Sequence, residues 1–418
     1  MEHSSMSRRI VSALAAAGLA LSPALASHVS HAAPATTVTF MTFSSVPTNV
    51  KDLNTIVQGF EAANPTIAIK LIPAPYAQYF TKLQVAVAGN SAPDTFELDY
   101  QDFLTYASQG TLLPLAKVAP ASDYSARYYP RALGAFRTGG TQYGLPESFS
   151  DVLLFYNKDL FDKAHLSYPT ASWTWKDEMV AAKKLTGSGV YGDYEPVQFY
   201  EFYKVLAQAG GQFLNKAGTA VAFDTPAGLR AVNWLVDKTT VDHVMPTAAQ
   251  MGGLADADLF KAGKLAMDRT GIWEFGDIGK SSVHWDVALE PGDVRKAHQY
   301  FANAVVISAH TANAAASYKW LKYLTSSPLA ANTRIAASWE LPAVSDPKLV
   351  ATYLKGSPPQ HRSVVFQALD TLVLPPTISK ETQMQDIVTN DLAKVLDGSL
   401  GAQAALDDMQ TKVNALLH

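Results

Sequence analysis

Asp99 and Tyr100 stand side by side where the strand-like run Thr95-Phe96-Glu97-Leu98 gives way to helical spacing at Phe103, Leu104, Tyr106 and Ala107. Pro93-Asp94 stops the chain before the run, and Gly110 ends the helix. A carboxylate beside an aromatic ring suits a polyhydroxylated ligand: the carboxylate accepts hydroxyl hydrogen bonds while the ring packs on C–H faces. In an open α/β sheet, ligands collect past the carboxyl ends of strands, where helix N-termini expose backbone donors. The same residues have a plainer use, with Asp99 or Asp102 capping the following helix. A second ring, Trp273, follows an expected strand over Leu265–Asp268 and a turn at Gly271. A tryptophan on such a strand-end loop offers ~150–250 Å² of apolar surface to a pyranose face.

These residues need a sheet to hold them. Thr37 to Phe43 alternates as a first strand ending at Ser44, and Leu53, Ile56, Val57 and Phe60 space as a helix closed by Asn64-Pro65. Ile67 to Ile72 is a second strand, and Tyr79 to Val87 a second helix. In this β-α-β-α-β run the ends of strands one and three, at Ser44 and Asp99, face one crevice.

At 418 residues the chain is long enough for two domains. A net charge of −4 argues against a nucleic-acid partner. The absence of cysteine removes disulfides, thiolate metal sites and thiol catalysis, and no lipoprotein anchor is expected. His165, His243, His284 and His298 lack the H-x-x-x-H spacing of a zinc site. Residues 1–32 read as an export signal: Arg8-Arg9, an apolar run from Ile10 to Leu21, then small residues with cleavage expected after Ala26 or Ala32. The apolar run is shorter than the ~20 residues of a membrane span.

Several blocks carry a resemblance. Pro93-Asp94, Asp99, Ala107-x-x-Gly110-x-Leu112-x-Pro114-Leu115, then Tyr143-Gly144-Leu145-Pro146, Tyr156 to Phe161, Phe260 to Met267 with Gly271-Ile272-Trp273, and Asp391 to Met409 resemble the family-1 extracellular solute-binding proteins. That class includes maltose-binding protein, and the resemblance covers almost the whole chain after Thr36. It implies an α/β fold of two lobes, each a mostly parallel sheet flanked by helices, with a ligand cleft at the hinge. The expected division is residues 33–145 in lobe one, 146–302 in lobe two, 303–340 returning to lobe one, and 341–418 in lobe two with the terminal helices.

The implied activity is capture of a carbohydrate, in the periplasm, for an ABC-transporter permease, by a monomer with no cofactor or metal. Besides Ser44, Asp99 and Tyr100, the resemblance points to Glu147 and Ser150 on the cleft floor. Counting back from Gly210-Gly211, it places Gln198 and Tyr200 where the family sets a carboxylate and an aromatic on the sugar. It adds Trp273, Asn303 where the family usually has glycines nearby, and Trp339 in the Ser338 to Pro342 return loop. Three rivals remain in view. Asp99 and Glu147 make the acid and base of a secreted glycosidase. A polyamine binder needs several carboxylates, of which these positions offer only those two. An iron binder of this type uses adjacent tyrosines, as at Tyr128-Tyr129.

Overall fold

The computed structural model describes residues 36–337 and 341–417; the export signal and Trp339 lie outside the described residues. Nine strands carry the architecture: β1 (Thr36–Thr42), β2 (Ile67–Pro73), β3 (Thr95–Asp99), β4 (Gly144–Asn157), β5 (Met267–Gly271), β6 (Trp285–Ala288), β7 (His298–Ile307), β8 (Leu341–Pro342) and β9 (Leu372–Val373). The order along the main path is β2-β1-β3-β7-β4-β8. β1, β2 and β3 pair in parallel, as the opening β-α-β-α-β pattern requires. The remaining pairs on this path are antiparallel. So the expected mostly parallel sheet holds for the first three strands and turns antiparallel where the long crossover strands join.

β4 is the element that makes two lobes from one chain. Its first part pairs with β7 from Gly144 opposite Val306 to Asp151 opposite Tyr300. From Val152 onward it pairs instead with β5, and from Leu154 with β6, both antiparallel. All 14 of its residues are buried, which suits a strand running through both lobes. β7 returns beside it, its far end His298-Gln299 pairing with β9. The strand expected over Leu265–Asp268 begins at Met267 and runs to Gly271. On either side of Leu265, the Lys264 carbonyl accepts the Tyr191 N–H and the Ala266 N–H donates to the Tyr191 carbonyl.

Helices complete each lobe. α1 (Pro47–Ala63) buries Leu53, Ile56, Val57 and Phe60, and α2 (Tyr76–Ala88) and α3 (Tyr100–Ser108) follow β2 and β3. α4 (Trp175–Leu185), α5 (Phe199–Gln208) and α6 (Pro226–Thr240) belong to the second lobe. α7 (Ala314–Ser326) brings Trp320, fully buried, against Phe40 and Phe60 in the first lobe, and α8 (Pro328–Ala337) packs beside it. α9 (Glu381–Leu396) and α10 (Ala402–Leu416) close a core with α5 and α6. Trp175 belongs to that core, stacked on Trp234 at 4.5 Å with its indole N–H donating to Gln208 at 2.9 Å.

Candidate functional site

A cleft of about 1200 Å³ lies between the lobes, bordered by the ends of β1 and β3, the bend of β4, the start of α5, the turn after β5, and β7. Alternation sets its first wall, since residues two apart on a strand share a face. On β3, Glu97 and Asp99 both border the cleft. Asp99 serves both uses foreseen for it. Its Oδ1 accepts the Asp102 N–H at 3.0 Å as the cap of α3, and its Oδ2 accepts the Tyr76 hydroxyl at 2.9 Å. Tyr76 is 56% exposed, edge-on to Phe43 at 5.5 Å. Both rings line the cleft with Ser44.

A β-bulge delivers Glu147. Pro146 pairs with Ala304 and Ser148 with Asn303, so Glu147 is the extra residue between them. Bulges re-aim side chains, and Glu147 and Ser148 both border the cleft despite being adjacent. Glu147 forms a buried ion pair with Arg334 of α8. Glu97 hydrogen-bonds to it as well as accepting the Thr42 hydroxyl at 3.0 Å and the Phe43 N–H at 2.9 Å. Burial, then the Glu147 charge, push the Glu97 carboxyl well above its usual range.

The second wall is aromatic. Trp273 sits in the short turn Ile272–Glu274 directly after β5, 40% exposed, with Phe301 edge-on at 5.6 Å. Phe301 also meets Tyr200 at 5.7 Å. The Tyr200 hydroxyl donates to Gln385 of α9 at 3.3 Å, and the Gln385 amide donates to Glu381 at 3.1 Å. Gln198, Tyr200 and Glu201 line the cleft from the first turn of α5, and Gln299, Phe301 and Asn303 from one face of β7.

Beneath this wall lies a buried ion cluster. Arg269 borders the cleft and is paired with Glu178 and, at 2.6 Å, with Asp193. Lys238 meets Glu178 at 2.9 Å, Asp193 at 2.8 Å and Glu195 at 2.5 Å. Lys204 meets Glu195 at 2.6 Å and Glu290 at 2.5 Å. Burial would raise Asp193 and Glu195, but Arg269 and the lysines outweigh it and hold both below the usual carboxylate range. Glu178 and Glu201 go the other way, pushed up to about 7 with burial as the largest cause.

The two groups act on stability at opposite ends of the pH scale. A carboxyl raised on folding costs stability as pH climbs from its unfolded value near 4 through its folded value near 7. One depressed on folding contributes above its unfolded value, and that contribution is lost as pH falls through the lower folded value. The ligand-free protein is therefore expected to melt highest near pH 5, lower at pH 8 and lower still below pH 4. Differential scanning fluorimetry across pH 3–9 checks this, and Glu201→Gln should flatten the upper limb. A melting temperature that climbs steadily to pH 8 would contradict the assignment.

Of the residues singled out from sequence, Ser44, Asp99, Glu147, Gln198, Tyr200, Trp273 and Asn303 come together around the cleft. Tyr100 does not line it, its side chain being bonded to Thr377. Ser150 is fully buried and does not line it either. Its cross-strand neighbour on β7 is Phe301, which takes the lining position. Tyr76, Glu97, Glu201, Gln299, Phe301 and Arg334 were missed. Glu97 carried a signal, a charge in a strand otherwise buried, two residues before Asp99. The expectation of two carboxylates in the cleft is also corrected: among the described residues eight carboxyl side chains line it, against Arg269, Lys280 and Arg334.

The model for bacterial extracellular solute-binding proteins matches residues 45–331. A solved ABC substrate-binding protein from Listeria monocytogenes, in complex with cycloalternan, superposes with a TM-score of 0.86 at 38% identity, covering 91% of this chain and 98% of that one. The maltodextrin-binding protein of Bacillus subtilis is 23% identical over 418 residues, 96% of this chain and 95% of that protein. An sn-glycerol-3-phosphate-binding periplasmic protein of Brucella abortus is 24% identical over 243 residues, 53% of this chain and 54% of that protein. With a two-lobed fold, an interlobe cleft and a family match over most of its length, the chain belongs to the bacterial extracellular solute-binding proteins.

Proposed function

We propose that this protein captures a neutral oligosaccharide between its lobes outside the cytoplasm and delivers it to an ABC-transporter permease. The observation that carries this reading is the pair of aromatic walls, Phe43 with Tyr76 on one lobe and Trp273 with Phe301 and Tyr200 on the other, over a floor of polar side chains. Rings on both sides stack on sugar faces, and a ligand touching both lobes favours closure by its greater affinity for the closed state. The cycloalternan complex of the Listeria protein supports the same ligand class.

Charge narrows the ligand. Glu97, Asp99, Glu201, Asp256 and Glu274 are all raised, with burial the largest cause, and Asp277 is tied to Lys261 at 2.5 Å. Burial therefore disfavours charge on most of these carboxyls in the ligand-free cleft, which weakens the case for a polyamine. Two of the three cations, Arg269 and Arg334, are already paired with carboxylates, which disfavours a phosphate ligand. The glycosidase pair is disfavoured too: both Asp99 oxygens are engaged and Glu147 is paired with Arg334. Tyr128 donates or accepts at Thr325, 2.7 Å away, and does not line the cleft.

A thermal-shift screen tests the reading, with maltotetraose and a cyclic tetraglucoside against spermidine, glycerol 3-phosphate and ferric citrate. A ligand at a hundred times its Kd should add about 2.7 kcal/mol. Shifts with neutral oligosaccharides, recovered uncleaved, are expected. A shift confined to spermidine, phosphate or iron would refute the carbohydrate assignment, and recovery of cleaved sugar would restore the glycosidase.

A further inference from the structure

Among the described residues, two polar side chains in the cleft floor each keep one buried atom without a partner. Glu201 is 6% exposed and Gln299 is 1% exposed, yet both border the cleft. Among the described residues, Glu201 Oε2 and Gln299 Nε2 have no hydrogen-bond partner. Their positions follow from the elements that carry them. Gln299 shares the cleft-facing side of β7 with Phe301 and Asn303, and Glu201 sits one residue past Tyr200 in the first turn of α5. Phe301 and Tyr200 are in ring contact, so these two elements meet at the aromatic wall. Glu201 bonds to the Gln198 side chain and feels the Lys204 charge, but the direct ion pairs of Lys204 are with Glu195 and Glu290. A buried polar group left unsatisfied costs stability, and such exceptions in native proteins call for a reason.

We propose that Glu201 and Gln299 form a hydroxyl-reading subsite in the cleft floor, an acceptor and a donor kept open for the edge of a sugar ring. The proposal rests on the carbohydrate reading above and says which feature of the sugar is read. A hydroxyl donates one hydrogen bond and accepts others, so a free sugar edge satisfies the carboxylate oxygen and the amide N–H together. An O-methyl group gives the carboxylate nothing, a deoxy position gives neither group a partner, and an anion faces the acidic floor. A site built to bond a hydroxyl rejects the analogue lacking it more sharply than a hydrophobic pocket rejects one methylene.

The test measures affinity and stability on the same variants, Glu201→Leu and Gln299→Leu, with maltotetraose and its monodeoxy and mono-O-methyl analogues as probes. Wild type should lose roughly 10- to 100-fold in affinity for one particular deoxy analogue. Each variant should bind the parent sugar more weakly by a similar factor and no longer distinguish that analogue. The ligand-free Glu201→Leu protein should also melt higher at pH 8, by about 2–4 °C, because a cost carried for binding has been removed. A structural role predicts the opposite change in melting temperature. A lower melting temperature, or unchanged affinity and unchanged analogue discrimination in both variants, overturns the subsite. Failure of wild type to bind any oligosaccharide in the screen is a separate result, which removes the carbohydrate reading itself.

Discussion

Lys238→Met is expected to destabilise the protein by about 3–5 kcal/mol, because it leaves buried carboxylates without one of their cations. Lys238 lies on α6 with its ammonium fully buried among Glu178, Asp193 and Glu195, and 4.3 Å from the Trp234 ring centroid. The cluster sets Glu178, Asp193, Glu195 and Glu290 against Lys204, Lys238 and Arg269. Taking away one cation leaves two to hold four carboxyls in a region that water does not screen. At about 2 °C per kcal/mol for a large chain, the melting temperature should fall by roughly 6–10 °C.

Two comparisons make that result specific. Lys183→Ala removes a surface pair with Asp242, whose lysine is 54% exposed, and should cost at most about 1 kcal/mol. Adding Glu178→Gln to Lys238→Met should recover part of the loss, since it removes one of the stranded charges. Chemical denaturation of the three variants decides the matter. A Lys238→Met loss no greater than that of Lys183→Ala would mean the cluster is hydrated and the argument from burial fails. The consequence reaches the cleft, because Arg269 borders it and is oriented by Glu178 and Asp193.

How much of this was legible in the sequence follows from the range of the forces involved. Local patterns carried the opening β-α-β-α-β run: Leu53, Ile56, Val57 and Phe60 at helical spacing are the face α1 buries. Asp99 was legible because a strand-to-helix switch is a local event, and its double use as cap and cleft residue is seen in one side chain. Glu147 was found through a block resemblance, but its orientation depends on a bulge created by pairing with β7, more than 150 residues later in the chain. No spacing near Glu147 shows that, nor its pairing with Arg334. The ion cluster was illegible for the same reason. Its members come from α4, α5, α6, β5 and the loops between, each an unremarkable Lys, Arg, Asp or Glu until folding buries them together. Ser150 shows the converse error, for a polar residue on a cleft strand is still covered when its cross-strand neighbour is phenylalanine.

Trp273→Ala is expected to weaken oligosaccharide binding by roughly 30- to 150-fold while leaving the fold intact. About 100 Å² of indole covered by a sugar corresponds to roughly 2–3 kcal/mol, and each 1.4 kcal/mol is tenfold in Kd. Because the ring is already 40% exposed, its removal opens little of the core, and the ligand-free melting temperature should shift by no more than about 2 °C. Gly271 gives an independent handle on the same ring. A methyl group built on Gly271 would collide with the six-membered part of the indole, so glycine is what lets the ring lie back over the end of β5. Its φ of −85° suits any residue, so Gly271→Ala introduces no backbone strain and acts only by pushing the indole aside. Isothermal titration of both variants against the sugar found in the screen should show a loss in each, larger for Trp273→Ala. If Trp273→Ala binds as wild type does, the indole is an edge-on neighbour of Phe301 and nothing more, and recognition passes to Phe43, Tyr76 and Tyr200. If Gly271→Ala alone weakens binding, the turn after β5 matters through its backbone rather than through the ring it presents.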